Sequence, residues 1–177
     1  ALGVDLHVAT TPDAARSGPE PEIAFTVKPG GFGLDFHQWL VSRPGFRWLQ
    51  VGGAGYDHVG DWPADRVTVS NCAGVLAPFL AQTCFGAIVA MNNRFFLYRD
   101  QQRRHEWTEH VFRPLTDQTL AIVGMGEIGR RLGAIARAAG IRVIGIRRTQ
   151  GAMDEADEIR PPETLMETLA EADIVSL

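Results

Sequence analysis

Cysteine is scarce in this sequence. Of 177 residues only Cys72 and Cys84 are cysteines, and they lack the paired spacing of a zinc or redox motif. Both lie among apolar neighbours, which predicts reduced, buried thiols and no metal site. Long apolar runs are missing too. The most apolar stretch, Val75 to Met91, is shorter than the ~20 residues of a membrane span and carries Pro78, Gln82 and Thr83, so it predicts a buried helix. Positive charge is not in excess: 17 Lys and Arg stand against 21 Asp and Glu, a net charge of -4. That balance gives no general attraction to nucleic acid or to an anionic membrane, and it leaves a small molecule as the expected partner. Nothing at Ala1 reads as a secretory leader, so the expected location is cytoplasmic.

What is present is the balance of a globular protein with a sizeable core, 45% hydrophobic and 21% charged, in a length that suits one ordinary domain or two small ones. The first part alternates turn-rich segments (Thr10 to Pro21, Lys28 to Gly33) with a β-like run over Glu22 to Val27 and a helix over Leu34 to Val41. Phe46 to Val51 reads as a second strand, ending in Gly52-Gly53-Ala54-Gly55, and Val67 to Ser70 as a third. Strands interleaved with a helix predict a small α/β domain with parallel strands. A long helix after Gly74 accepts Pro78 in its first turn and is expected to run to about Tyr98. Arg99 to Pro114, polar around Trp107, reads as a surface passage, and the group Arg99, Arg103 and Arg104 as a solvated face.

From Thr119 the pattern is βαβαβ. Strands are expected over Thr119 to Val123, Arg142 to Ile146 and Asp173 to Leu177, with helices over Glu127 to Ala139 and Pro162 to Ala170, together one mononucleotide-binding half. In the first of these helices Ile128, Leu132, Ile135, Ala136 and Ala139 share one face, and Arg130, Arg131 and Arg137 fall away from it.

Gly124-Met125-Gly126-Glu127-Ile128-Gly129 is a GxGxxG set directly after an apolar strand and directly before an amphipathic helix. Alone, the pattern is only a Gly-rich turn. In this setting the first glycine permits the tight turn, the second lets a pyrophosphate approach the backbone, and the third lets helix and strand pack closely. Unpaired N–H groups at the helix start would face the phosphates. About 20 residues on, NAD-binding units carry an acidic residue for the ribose 2′-hydroxyl. Here Arg147-Arg148-Thr149 stands in that place. Two guanidinium groups and a hydroxyl suit a 2′-phosphate, so NADP(H) is favoured over NAD(H), unless these arginines are merely solvated surface.

Three blocks resemble the D-isomer-specific 2-hydroxyacid dehydrogenase family, which includes glyoxylate and hydroxypyruvate reductases. They are Phe46 to His58 (Phe46-Arg47-Trp48-Leu49-Gln50-Val51-Gly52-Gly53-Ala54-Gly55-Tyr56-Asp57-His58), Val69-Ser70-Asn71 with Gly74, and Leu120 to Gly129 with its following strand; Arg94 and Trp107 add to them. The resemblance implies a Rossmann-type doubly wound parallel sheet, its first half only, joined to a smaller flavodoxin-like α/β substrate domain. The expected boundaries are 1–73 for the substrate domain and 74–177 for the connecting helix and nucleotide domain. It also implies that backbone N–H groups of Ala54 and Gly55 hold a substrate carboxylate, although the residues alone read as a plain turn. His58 beside that loop is expected to be structural.

Two positions depart from the family pattern: Gln82, where relatives often carry Glu, and Arg147, where an acidic residue is common. The second points to the NADP-preferring reductases. The family's catalytic Arg, Glu and His belong to the second half of the Rossmann domain, beyond Leu177, and no His of this chain takes their place. The family's opening strand is not evident before Glu22. The expectation is therefore a fragment of a larger enzyme, a homodimer by resemblance, acting on a small 2-oxo or 2-hydroxy acid such as glyoxylate or hydroxypyruvate. Two rivals stay open: a catalytically inactive nucleotide-binding regulator of the same fold, and an NADP-dependent oxidoreductase of another Rossmann family.

Overall fold

The computed structural model describes residues 3–27 and 32–177, so most of the turn expected over Lys28 to Gly33 lies outside the described residues. The chain divides into two compact units, 1–75 and 76–177.

The first unit opens with a short helix, α1 (Pro12–Arg16), inside the segment read as turns. Thr11 caps it, its Oγ1 accepting from the Ala14 N–H at 3.2 Å, and Pro12 sits where a missing N–H costs nothing. Three parallel strands follow, β1 (Ile23–Thr26), β2 (Trp48–Val51) and β3 (Thr68–Ser70), in the order β1-β2-β3. Helix α2 (Leu34–Ser42) joins the first two strands, while only a single 3-10 turn, Asp57–Val59, lies between the second and third. Alternation along the strands sends Leu49 and Val51 to one side, where they meet Phe36, Leu40 and Val41 of α2 in a core with Phe46, Val59 and Val67. The Arg66 guanidinium donates to Val41 O (2.9 Å) in the last turn of α2 and to Arg43 O (2.7 Å), which also accepts from the Phe46 N–H (3.2 Å). The other side of the sheet is open, with Ile23, Phe25 and Trp48 exposed.

The second unit begins with α3 (Ala77–Asn92) and α4 (Phe95–Arg103). The single helix expected to Tyr98 is therefore two. Arg94 is left-handed (φ 56°), and the Asn92 side chain is committed elsewhere, donating to Arg113 O (3.0 Å) and accepting from Gln118 Nε2 (2.5 Å). Nor is α3 a buried helix. It buries Ala77, Ala81 and Ile88, while Phe79, Leu80 and Met91 face outward. The thiols are only half-buried: Cys84 packs at the rim of the core, and Cys72 Sγ accepts from Gln50 Nε2. Residues 104–114 carry no helix or strand, and Trp107 is exposed among them.

Strands β4 (Thr119–Val123) and β5 (Arg142–Ile146) flank α5 (Glu127–Ala138). A strand that the sequence did not announce, β6 (Glu158–Arg160), pairs with β5, and β7 (Ile174–Ser176) pairs with the far side of β4. The parallel sheet runs β6-β5-β4-β7, so the last strand is the first beyond the point where strand order reverses, not the third of one half. The helix expected from Pro162 begins as a 3-10 turn, Pro162–Thr164, and becomes α6 over Leu165–Glu171.

The buried face of α5 is Gly129, Leu132, Gly133 and Ala136, with Ile135 and Ala139 half-buried beside it. Ile128, placed on that face from the sequence, is 42% exposed, because two glycines take the contact positions. A Cβ on Gly133 would lie 2.3 Å from the Glu155 carbonyl oxygen. Alanine at a helical glycine gains at most ~1 kcal/mol in propensity, whereas forced overpacking costs ~1–3 kcal/mol. Gly133→Ala is thus expected to lower the urea midpoint; a raised midpoint would mean that the Glu155 backbone yields freely.

Candidate functional site

In the second unit all four strand C-termini lie at one end of the sheet, with Val123 opposite Ile146, Ile146 opposite Arg160, and Ile122 opposite Ser176. The Gly124–Gly129 turn leaves β4 at this end, beside the reversal between β4 and β7, which is where open α/β sheets bind ligands. Gly124 has φ 109°, a conformation side-chain-bearing residues avoid. Gly129 has no room for a side chain, since its Cβ would fall 2.1 Å from the Gly124 carbonyl oxygen. Gly126 differs from both. Nothing stands within 4 Å of a Cβ placed there, so the protein itself does not demand glycine; a ligand approaching the backbone would.

No side chain caps α5, and the N–H groups of Met125, Gly126, Glu127, Ile128 and Gly129 donate to no described residue. These orphan donors, at the positive end of a 12-residue helix, suit an anion by geometry and dipole together. Glu127 and Ile128 turn their side chains outward and offer only backbone. Met125 is 5% exposed and packs under the turn toward Gly145 and Gly133, so it too offers only its amide.

The Gly124 N–H donates to Ile146 O at 2.9 Å, and Ile146 is followed by Arg147. One hydrogen bond therefore sets the glycine turn beside Arg147-Arg148-Thr149. Arg147 is half-buried, its Nη1 donating to Met153 Sδ at 2.9 Å; Arg148 and Thr149 are exposed. Neither arginine joins an ion pair among the described residues, although most other arginines of this unit do. Two guanidinium groups without a carboxylate partner among the described residues, beside an open, donor-lined turn, suit the phosphates of a dinucleotide.

In the first unit, Gly52–Gly55 follows the middle strand. Gly52 is structural: its N–H donates to Thr26 O (2.7 Å), and a Cβ would meet Val27 Cγ1 at 2.7 Å. Gly53 and Gly55 have open space, and the N–H groups of Ala54 and Gly55 donate to no described residue. Asn71 holds the loop, donating from Nδ2 to Ala54 O (2.7 Å) while Oδ1 accepts from Ala73 N (3.1 Å). Sequence reasoning gave Asn71 no role; its place just past a strand, in Val69-Ser70-Asn71, was the only signal.

Among the described residues no group of three or more His, Cys, Asp or Glu could hold a metal, and no helix is long and apolar enough to cross a membrane.

The family model for the D-isomer specific 2-hydroxyacid dehydrogenase NAD binding domain matches residues 85–177, just over half of the chain. The chain belongs to this family. The glyoxylate reductase of Thermococcus litoralis is 30% identical over 150 residues, which span 78% of this chain and 45% of that protein. A solved family member from Aeromonas salmonicida superposes with a TM-score of 0.77 at 25% identity, over 92% of this chain and 51% of that one. The NADPH-dependent glyoxylate/hydroxypyruvate reductase of Sinorhizobium meliloti, solved with NADP and sulfate, gives 0.72 at 21% identity, over 91% and 50%, and so matches in fold. The chain spans about half the length of these relatives.

His37 is structural, as is its neighbourhood. It is 1% exposed, and its Nδ1 donates to Gly33 O (2.8 Å), which leaves Nε2 to accept from Thr26 Oγ1 (3.0 Å). The His58 ring meets it edge-on with centroids 4.9 Å apart. Burial pushes the His37 pKa below the ordinary 6.5; the bond to Gly33 opposes that shift, and charge on His58 adds to it. The unfolded chain therefore takes up this proton first. The stability it contributes is present above pH 6.5 and is lost as pH falls from there through the lowered folded value. Urea midpoints measured from pH 7.5 to 5 should fall more steeply for the wild type than for His37→Gln; parallel curves would remove His37 from the acid response.

Proposed function

We propose that this chain is the nucleotide-binding part, with an adjoining substrate unit, of an NADP(H)-preferring reductase of small 2-oxo or 2-hydroxy acids, of glyoxylate or hydroxypyruvate type. The observation that carries this is the Gly124 N–H to Ile146 O bond, which brings an open, donor-lined turn and two arginines that lack an ion pair among the described residues to one end of one sheet. In this reading residues 1–73 are the substrate domain, and 74–177 are the connecting helix and nucleotide domain.

The amides of Met125, Gly126, Glu127, Ile128 and Gly129 take the pyrophosphate at the end of α5, with Gly124 setting the turn. Arg147 and Arg148 neutralise the 2′-phosphate, and the Thr149 hydroxyl adds a hydrogen bond. Ala54 and Gly55 present amide N–H groups to the carboxylate of the acid, in a loop that Asn71 keeps from collapsing. When bound, the nicotinamide donates or accepts the hydride. The naming of the Thermococcus litoralis and Sinorhizobium meliloti relatives as glyoxylate and glyoxylate/hydroxypyruvate reductases supports the choice of acids. The exposed apolar side chains of α3 and α4, Phe79, Leu80, Phe95 and Phe96, suit pairing of two copies into a homodimer. A cytoplasmic location agrees with that chemistry.

The test is calorimetric titration of the full-length protein with NADPH and NADH, repeated on Arg147→Asp. NADPH should bind the wild type at least about tenfold more tightly, the worth of one charge-assisted contact, and the variant should lose or invert the preference. Equal affinities in the wild type would remove the 2′-phosphate assignment. Gly126→Ala supplies a second check: with open space at its Cβ, it should keep the thermal midpoint yet weaken both cofactors. NADPH binding without oxidation by glyoxylate or hydroxypyruvate would favour a nucleotide-binding regulator over a reductase.

A further inference from the structure

The segment that leaves β5 with Arg147 does not run free. From Met153 to Asp157 it lies as a strap along one face of α5, touching it at Arg130, Gly133 and Arg137, which are three and four residues apart. Glu155 Oε1 accepts from Arg130 Nε (3.0 Å) and Nη2 (2.7 Å). The Glu155 backbone carbonyl sits over Gly133, in the space a side chain there would fill. Arg137 donates from Nε to Asp157 Oδ1 (3.1 Å) and from Nη1 to the Asp154 carbonyl. Asp157 is in turn fixed to the sheet, its N–H donating to Val143 O (2.9 Å) and its Oδ2 accepting from Val143 N (2.8 Å). Inside the strap, Met153 and Ala156 pack on the core, and Met153 Sδ receives Arg147 Nη1.

The two ends of the strap are held differently. The Asp157 end is bound to backbone of β5 and cannot shift without breaking the sheet edge. Among the described residues the Met153 end has no hydrogen bond to strand backbone; the Arg137 guanidinium holds it by the Asp154 carbonyl, and the Glu155–Arg130 pair is the carboxylate–guanidinium pair nearest to it, with the Glu155 side chain only 21% exposed.

We infer that Glu155, through its pair with Arg130, is a positioning residue for cofactor choice: it holds the strap down so that Met153 seats the Arg147 guanidinium toward the 2′-phosphate. This rests on the assignment of Arg147 proposed above. Glu155 acts through Arg147 and touches no reactant. Opposite charges on the two partners make the role separable from a simple field effect. If Glu155 acted only as a negative charge near the phosphate, Glu155→Gln would strengthen NADPH binding and Arg130→Gln would weaken it. A positioning role makes both variants weaken it.

The experiment is titration of full-length wild type, Glu155→Gln, Arg130→Gln and Arg147→Asp with NADPH and NADH separately. Both Gln variants should lose about fivefold in NADPH affinity, the upper end for a surface pair, with NADH affinity unchanged; retained NADH binding also shows that they are folded. Effects of opposite sign in the two Gln variants, equal losses on both cofactors, or an unchanged NADPH-to-NADH ratio would each overturn the inference. If the wild type itself shows no NADPH preference, or Arg147→Asp keeps it, the assignment of Arg147 fails and the strap's role with it. A preference lost in Arg147→Asp but kept in both Gln variants overturns the strap alone.

Discussion

The approach of Gly129 to the carbonyl of Gly124 is the constraint on which the nucleotide unit depends. A Cβ at 129 would stand 2.1 Å from that oxygen, so α5 comes to the end of β4 only because residue 129 has none. This closeness puts the helix N-terminus, with its unpaired amides, directly over the strand ends. It lets Leu132 and Ala136 reach the sheet core, and it leaves the Gly124 amide aligned to bond Ile146 across the β4–β5 step. Had α5 stood off by the width of a methyl group, its donors would still exist but would not converge with the turn.

The arginines of the nucleotide unit divide into two groups by what they bond to. Most arginines of this unit serve structure: Arg113 binds Asp173, Arg160 binds both Glu158 and Glu171, and Arg142 joins the same group. Those carboxylates hold the Arg160 guanidinium well above its ordinary pKa, and the guanidinium in turn holds Glu158 and Glu171 below theirs. Such pairs fix β6 and α6 against β5. Among the described residues Arg147 and Arg148 have no carboxylate partner, so their charge faces a place where the backbone has already gathered donors.

Much of this was legible in the sequence, because local signals dominate where strands are buried on both faces. Thr119–Val123 and Arg142–Ile146 are apolar after their first residue, and their bounds agree with the structure. Strand β6 escaped notice because Glu158-Ile159-Arg160 has no apolar period; its charges are used in ion pairs visible only in three dimensions. The break at Arg94 was hidden for a similar reason, since Asn92 ends its helix by bonding to residues 113 and 118, more than 20 positions away. The exposed Ile128 reflects a rule of size over hydropathy: small residues mark the contact face when backbones come this close. For the candidate site, glycine spacing and the Arg147-Arg148 pair could be read directly. The contacts of Asn71, Met153 and Glu155 could not, because each bonds to a segment that its own neighbourhood in sequence does not name.

Arg148 and Thr149 make no side-chain hydrogen bond among the described residues, and they sit exposed where the chain has just left the sheet. Substitution at these two positions therefore carries little penalty in folding, in contrast to Gly124 and Gly129 at the same end of the sheet. That asymmetry separates two demands on one turn: the glycines are fixed by the fold, whereas a change of side chain at the tip of β5 would alter what the turn presents to a ligand without needing spare stability first.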